Sequence, residues 1–340
     1  MVGFWLRLFA SIMLVALACV VSAQAFGNIR HGAMIAFASE QDTNAYNIFL
    51  LDVAWGTLAQ VTKGDTTSSP AWSHDGQTLA WLQGGANATF WAMDMPLSTP
   101  YPLTPLLISA PHLAWSPTDS QFLFEKTAST GWKNIILMNA LTGEWRNLTE
   151  NNQHHETSPS WENGGQRFVF NFRDGVGHER VAIYDLATST STVISDEQSV
   201  YPSWSPNGAM IAYLATYRTQ PKWTFYEVAT GVDWSYFSAI PIDYVQARWS
   251  SDSQKVAFGL NSGEIKILEV TTGKIQDITP RNTYDISPSW SPDGRYLVLV
   301  ENTNRRRETK LVIVDIQTGD RQQVTFSGRL GADRMPVWRP

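Results

Sequence analysis

Short apolar runs recur along the chain, each behind a polar turn. "LAWL" comes after "SHDG", "FLF" after "SPTD", "FVF" after "ENGG", "IAYL" after "SPNG", "VAF" after "SSDS" and "LVLV" after "SPDG". Unbroken apolar stretches this short predict strands buried on both faces, as in a sheet held between two other sheets. A tryptophan stands just before each turn: Trp72, Trp115, Trp161, Trp204, Trp249 and Trp290. A seventh, Trp338, has no turn after it. The spacings are 43, 46, 43, 45, 41 and 48 residues. A period near 45 built of short strands is the size of a four-stranded propeller blade.

The turns explain themselves chemically. Proline presets the turn, Asp or Asn bonds back to the backbone, and glycine accepts positive φ. Gly76, Gly165, Gly208 and Gly294 fill the last place, whereas Asp119 and Ser253 stand there in the other two copies, which predicts a different turn type. Pro70, Pro159, Pro202, Pro288 and Pro336 lie two residues before a tryptophan. A residue without an N–H suits the start of an edge strand, and the innermost strand of a blade is such an edge.

A second phrase reads strand, tight turn, strand. It is clearest at Tyr46, Lys133, Gly263 and Thr309, and weaker from Thr89, Glu179 and Lys222. Seven second phrases match seven tryptophans. The copy at Tyr46 has the strand "MIAFAS" before it but no tryptophan phrase. Residues 335–338 are therefore expected to supply the missing inner strand and close a ring of seven blades. Closure removes the faces that an open array would leave exposed.

"SPSWSPDGRYLVLV" with "VDIQTG" downstream resembles the TolB-like, WD-type β-propeller repeat family, and the resemblance runs from about Gly32 to Pro340. It implies an all-β propeller outside the cytoplasm. TolB proteins carry an α/β domain before six blades, whereas this chain reads as a signal peptide over 1–25 and a seven-bladed propeller over 26–340. Similar repeats also form the propellers of prolyl-oligopeptidase-type peptidases and oligogalacturonide lyases.

Composition adds compartment and partner class. Arg7 precedes an apolar run from Leu8 to Val21, with small residues at cleavage spacing near Ala23 and Ala25. This pattern predicts export by a cleaved signal and no stable membrane span afterwards. Cys19 lies inside the signal and is the single cysteine, so the mature chain is expected to have no disulfide and no lipid anchor. A net charge of −6 excludes nucleic acid as a main partner, which calls for a basic face. The expected partner is a protein, peptide or carbohydrate, bound by a monomer.

The chemistry is sparse. No G-x-S-x-G elbow occurs, which removes the hydrolase reading. Asp52, Asp94, Asn139, Asp185, Glu227, Glu269 and Asp315 recur once per blade before a turn, and read as turn caps. His154, His155 and His178, with Glu156, Asp174 and His112 nearby, are the candidate metal ligands of an alternative, metal-dependent polysaccharide lyase. Their spacing matches no defined metal motif, and no cofactor is expected. The leading expectation is a non-catalytic binding protein. Loops before the first strands and between second and third strands share one face and hardly resemble one another. They offer Tyr201, Tyr217, Trp223, Tyr244, Tyr284, Arg173 and Arg281, residue types common among binding anchors.

Overall fold

The computed structural model describes residues 33–40, 45–64, 66–85, 88–104, 113–150, 154–196, 198–217, 220–237, 246–279, 284–302, 309–325 and 332–340. These residues form seven four-stranded antiparallel sheets. The signal segment, His112, Tyr244 and Arg281 lie outside them.

The first strands of blades II to VII are Thr67–Trp72, Leu113–Trp115, His155–Trp161, Gln198–Trp204, Arg248–Trp249 and Tyr284–Trp290. Each pairs with the apolar run that follows it, such as Arg167–Arg173 in blade IV. Blade I is composite. Asp333–Trp338 pairs with Met34–Ser39, which pairs with Asn47–Asp52 and then Thr57–Gln60. The closure strand expected from the leftover tryptophan therefore exists, and it begins two residues earlier, at Asp333.

Alternation along the strands explains why both faces are apolar. Ile35 and Phe37 pack against Tyr296, Val298 and Val300 of blade VII. Ala36 and Ala38, on the opposite face, pack against Trp72, Leu79 and Trp81 of blade II. Side chains on a strand point to opposite faces in turn. A strand between two neighbours needs apolar residues at every position, and the run MIAFAS supplies them.

The tryptophans join the blades. The indole Nε1–H of Trp161 donates to the carbonyl oxygen of Ala114 at 2.9 Å. Trp115 reaches Ala71 in the same way at 3.3 Å, Trp249 reaches Ser203 at 3.1 Å, and Trp290 reaches Arg248 at 2.8 Å. Each acceptor is the residue just before the tryptophan of the preceding blade. Trp204 departs from this scheme: its indole donates to Gly208 within its own turn, while its backbone N–H donates to Ser160 Oγ.

The prolines have a sharper role than edge placement. In five first strands the residue before proline has positive φ: Ser69, Ser158, Tyr201, Ser287 and Met335, all between 52° and 56°. The ladder register shifts across each of these positions. The proline sits in a β-bulge, where the ladder asks nothing of its nitrogen. Ser253 adopts φ 59° in the place that glycine fills in four other turns, so that turn keeps its type. The N–H of Asn207 in the neighbouring blade donates to Ser253 Oγ at 3.0 Å and helps hold it there. The blade III turn, with Asp119, lacks the positive φ.

Candidate functional site

First strands lie against one another in six of the seven successive blade pairs. Where blade VI meets blade V, Gln246 Nε2 donates to the carbonyl oxygen of Pro202 at 3.0 Å and lies 3.4 Å from that of Ser158. These strands wall a central channel. Bulge residues of adjoining blades meet beside it: Ser69 Oγ of blade II donates to Met335 Sδ of blade I at 3.6 Å, and Met335 is 40% exposed. Tyr201 occupies the same bulge position in blade V and is half-buried. It is the aromatic member of a set otherwise made of Ser69, Ser158, Ser287 and Met335.

The other expected anchors separate. Trp223 is 1% exposed and packs 6.0 Å from Phe258, between blades V and VI. It belongs to the core, not to the loop face. The reason is that the hairpin Met210–Tyr217 and Gln220–Glu227 extends almost to its tip, converting an expected loop into strand. Tyr217 ends the first of these strands, and Tyr284 opens the first strand of blade VII. Arg173 ends the second strand of blade IV, 3.8 Å from Glu179.

The histidines share blade IV but take different partners. His155 Nδ1 accepts the backbone N–H of Lys133 at 3.3 Å, with its ring against Trp132. His154 packs on Phe172 at 5.3 Å between ring centroids. His178 Nδ1 lies 3.2 Å from Asp174 Oδ2. The backbone N–H of His178, above all, holds the Asp174 carboxyl below its ordinary range. Burial pushes the Glu179 carboxyl up, against the pull of Arg173 and Asn171. Among the described residues no three His, Cys, Asp or Glu side chains are grouped to hold a metal ion. A groove of about 330 Å³ is lined by Phe170, Phe172 and Tyr184 together with His154 and Glu156.

Four of the seven repeated acids and amides cap the backbone of their turns, two bond a turn hydroxyl, and Asp94 instead bonds across its strands. Asp52, Asn139, Asp185 and Asp315 each accept two backbone N–H groups of the following turn through Oδ1. Glu227 and Glu269 take the hydroxyls of Thr230 and Thr272 at 2.6 Å. Asp94 accepts from Thr78 and Tyr101.

One residue escaped the sequence reading. The position before the tryptophan holds Ala71, Ala114, Ser160, Ser203, Ser289 and Val337 in six blades, all half-buried. In blade VI it holds Arg248, which is exposed between the buried Ala247 and Trp249. The signal was available as the single break in a column of small residues.

Residues 178–340 match the family described as the TolB beta propeller domain. Over 82 residues the chain is 30% identical to the Tol-Pal system protein TolB of Francisella tularensis subsp. mediasiatica. That match covers 23% of this chain and 19% of the relative, so it spans about a fifth of the relative's length. TolB from Acinetobacter baumannii superposes with a TM-score of 0.55 at 19% identity, over 91% of this chain and 67% of that one. An oligogalacturonate lyase in complex with manganese superposes with a TM-score of 0.68 at 12% identity, over 84% of this chain and 87% of that one. At these identities the solved structures share the fold. The later blades thus match the TolB beta propeller domain family, and the chain as a whole, with its seven Trp-turn-strand repeats, shares the propeller fold of these proteins.

Proposed function

We propose that this chain is a non-catalytic, extracytoplasmic propeller that captures a protein partner, with a peptide segment of it entering the channel mouth on the loop face. The observation that carries this reading is Tyr201, an aromatic residue at a first-strand bulge position that is otherwise serine or methionine. Its strained left-handed backbone, held in a bulge, gives the ring a defined place on a rigid scaffold. Tyrosine offers a large contact area at low entropic cost, and variable loops on a fixed scaffold are where recognition concentrates. The export signal and the kinship with a Tol-Pal system protein support a partner outside the cytoplasm. No helix among the described residues is long and apolar enough to cross a membrane.

The test is capture from an envelope extract by the immobilised full chain. Tyr201→Ala should abolish capture, while Asp75→Ala and Asp293→Ala, which alter turns on the opposite face, should leave it intact. Loss of capture in the two controls alone would place the partner on the wrong face for this proposal.

A second reading, a metal-dependent polysaccharide lyase, rests on the clustering of His155, Arg173, Asp174, His178 and Glu179 at the loop end of blade IV. It expects chelator-sensitive cleavage of an acidic polysaccharide, and loss of that cleavage in His155→Ala and His178→Ala. Unchanged capture in the presence of chelator, with no cleavage, would leave the binding reading alone.

A further inference from the structure

Arg248 breaks the repeat at a position whose other six occupants are Ala, Ser or Val. Its backbone is fixed. It pairs with Ala257 across the blade, and its carbonyl oxygen accepts the Trp290 indole at 2.8 Å. The side chain therefore leaves from a rigid point on the channel wall, one residue above the inner turn of blade VI.

Two observations define its surroundings. The residue is exposed to solvent, while Ala247 and Trp249 on either side are buried. Yet burial lowers the guanidinium pKa from its ordinary value, and no carboxylate contributes an opposing pull. A side chain that is wet and still surrounded by protein lies inside a water-filled passage, not on an outer surface. Among the described residues, no hydrogen bond or ion pair engages the guanidinium. Other basic residues of the molecule are handled differently: Arg295 meets Asp315 at 2.7 Å, Arg321 meets Glu301 at 2.8 Å, and Arg167 meets Glu162.

An isolated cation enclosed by low-dielectric walls is costly and focuses positive potential along the passage. The guanidinium fork matches the two oxygens of a carboxylate or phosphate. Among the described residues the acids at the turn end form no ion pair with it and are held in their own turns. Asp252 Oδ1 accepts from Ser250 Oγ and from the N–H of Gln254, and Asp293 Oδ1 accepts from Ser291 Oγ and from the N–H of Arg295. Gln246, two residues before Arg248, spans the carbonyls of Pro202 and Ser158 and narrows the wall above it. Ser203 and Ser289 hold the matching positions in the two flanking blades.

We propose that Arg248 makes the central channel an anion-binding site, taking one carboxylate or phosphate group between blades V, VI and VII. This site does not depend on the loop-face reading, since a free anion can occupy it without a partner at Tyr201.

The test is titration calorimetry on the full chain at fixed ionic strength, with phosphate, acetate, and a short peptide bearing a free C-terminal carboxylate beside its amidated twin. Arg248→Gln is compared with Arg146→Gln, which removes the same charge from an exposed outer strand. The wild type and Arg146→Gln should bind at one site per chain, and Arg248→Gln should bind about tenfold or more weakly, the scale of a charge-assisted pair. Preference for phosphate, or for the free over the amidated peptide, identifies the source of the group. Melting curves keep the result readable, because removing an unpaired enclosed charge should raise the Tm in anion-free buffer and abolish the anion-dependent rise. Equal binding by Arg248→Gln, or no saturable binding by the wild type, would overturn the proposal.

Discussion

Ser39 Oγ donates to Asp333 Oδ1 at 2.6 Å across 294 residues of chain, inside a seam where both residues are wholly buried. Thr325 Oγ1 of blade VII donates to the other oxygen of the same carboxylate, and Thr309 Oγ1 donates to its backbone carbonyl. The first residue of the closure strand is thus gripped from blades I and VII at once. At the far end Arg339 Nε donates to the carbonyl of Gly76 at 2.8 Å, with its guanidinium over the Trp72 ring. Arg339 continues the closure past the final tryptophan and reaches blade II.

Removal of residues 333–340 should therefore cost far more than a surface truncation. It deletes the buried Trp338 and exposes Ile35, Phe37 and Trp72. Loss of a buried tryptophan alone costs about 3–5 kcal/mol. Denaturant unfolding should show a large drop in midpoint, and a truncated chain melting within a degree or two of the full one would contradict closure.

Asp333 should give the fold a distinctive pH response. Burial raises its pKa from 3.8 to about 6, against the lowering effect of the Ser39 and Thr325 hydroxyls. The folded protein binds the proton more tightly than the unfolded chain. The stabilising contribution is then complete below pH 3.8 and is lost as pH rises through about 6, a change on the order of 3 kcal/mol. The stability difference between wild type and Asp333→Asn should shift in that window and stay flat above it. Parallel curves from pH 4 to pH 7 would refute the assignment.

Gly165 should tolerate no side chain. Its φ is +67°, and an added Cβ would lie 2.2 Å from Thr118 Oγ1 of the neighbouring blade. Gly131 has φ +87° and open space around it. Gly131→Ala should cost about 1–2 kcal/mol for the backbone alone. Gly165→Ala should cost clearly more in chemical denaturation, and equal losses would show that the blade contact yields freely.

The indole staples should be measurable by comparison. Trp161 donates to Ala114, whereas the buried Nε1 atoms of Trp72 and Trp338 have no hydrogen-bond partner among the described residues. Trp161→Phe loses that bond and orphans a carbonyl, worth about 1–3 kcal/mol beyond the change in packing. Trp72→Phe loses only packing and part of the Arg339 stacking. Unfolding free energies should rank Trp161→Phe as the more harmful, and the reverse order would mean that the staple contributes little.

The blade count, the four-strand unit and the closing of the ring by its C-terminal phrase were all legible in the linear pattern. Each depends on a local rule repeated seven times. Turn chemistry before an apolar run fixes a hairpin, and a leftover tryptophan identifies its missing partner by subtraction. The capping role of Asp52, Asn139, Asp185 and Asp315 was legible for the same reason, since a side chain bonding two or three residues ahead needs no distant information.

Where single side chains end up was decided only by the tertiary structure. Trp223 and Tyr201 both looked like loop aromatics, but a long strand pair buried the first, while the second sits half-buried at a first-strand bulge. His154, His155 and His178 lie in one blade, yet each takes a different partner: Phe172, the backbone of Lys133, and Asp174. Arg248 is marked in the sequence only as a break in a column of small residues, which says nothing of what surrounds it. Its meaning arises from the ring, because only closure of seven blades encloses the space that its charge occupies.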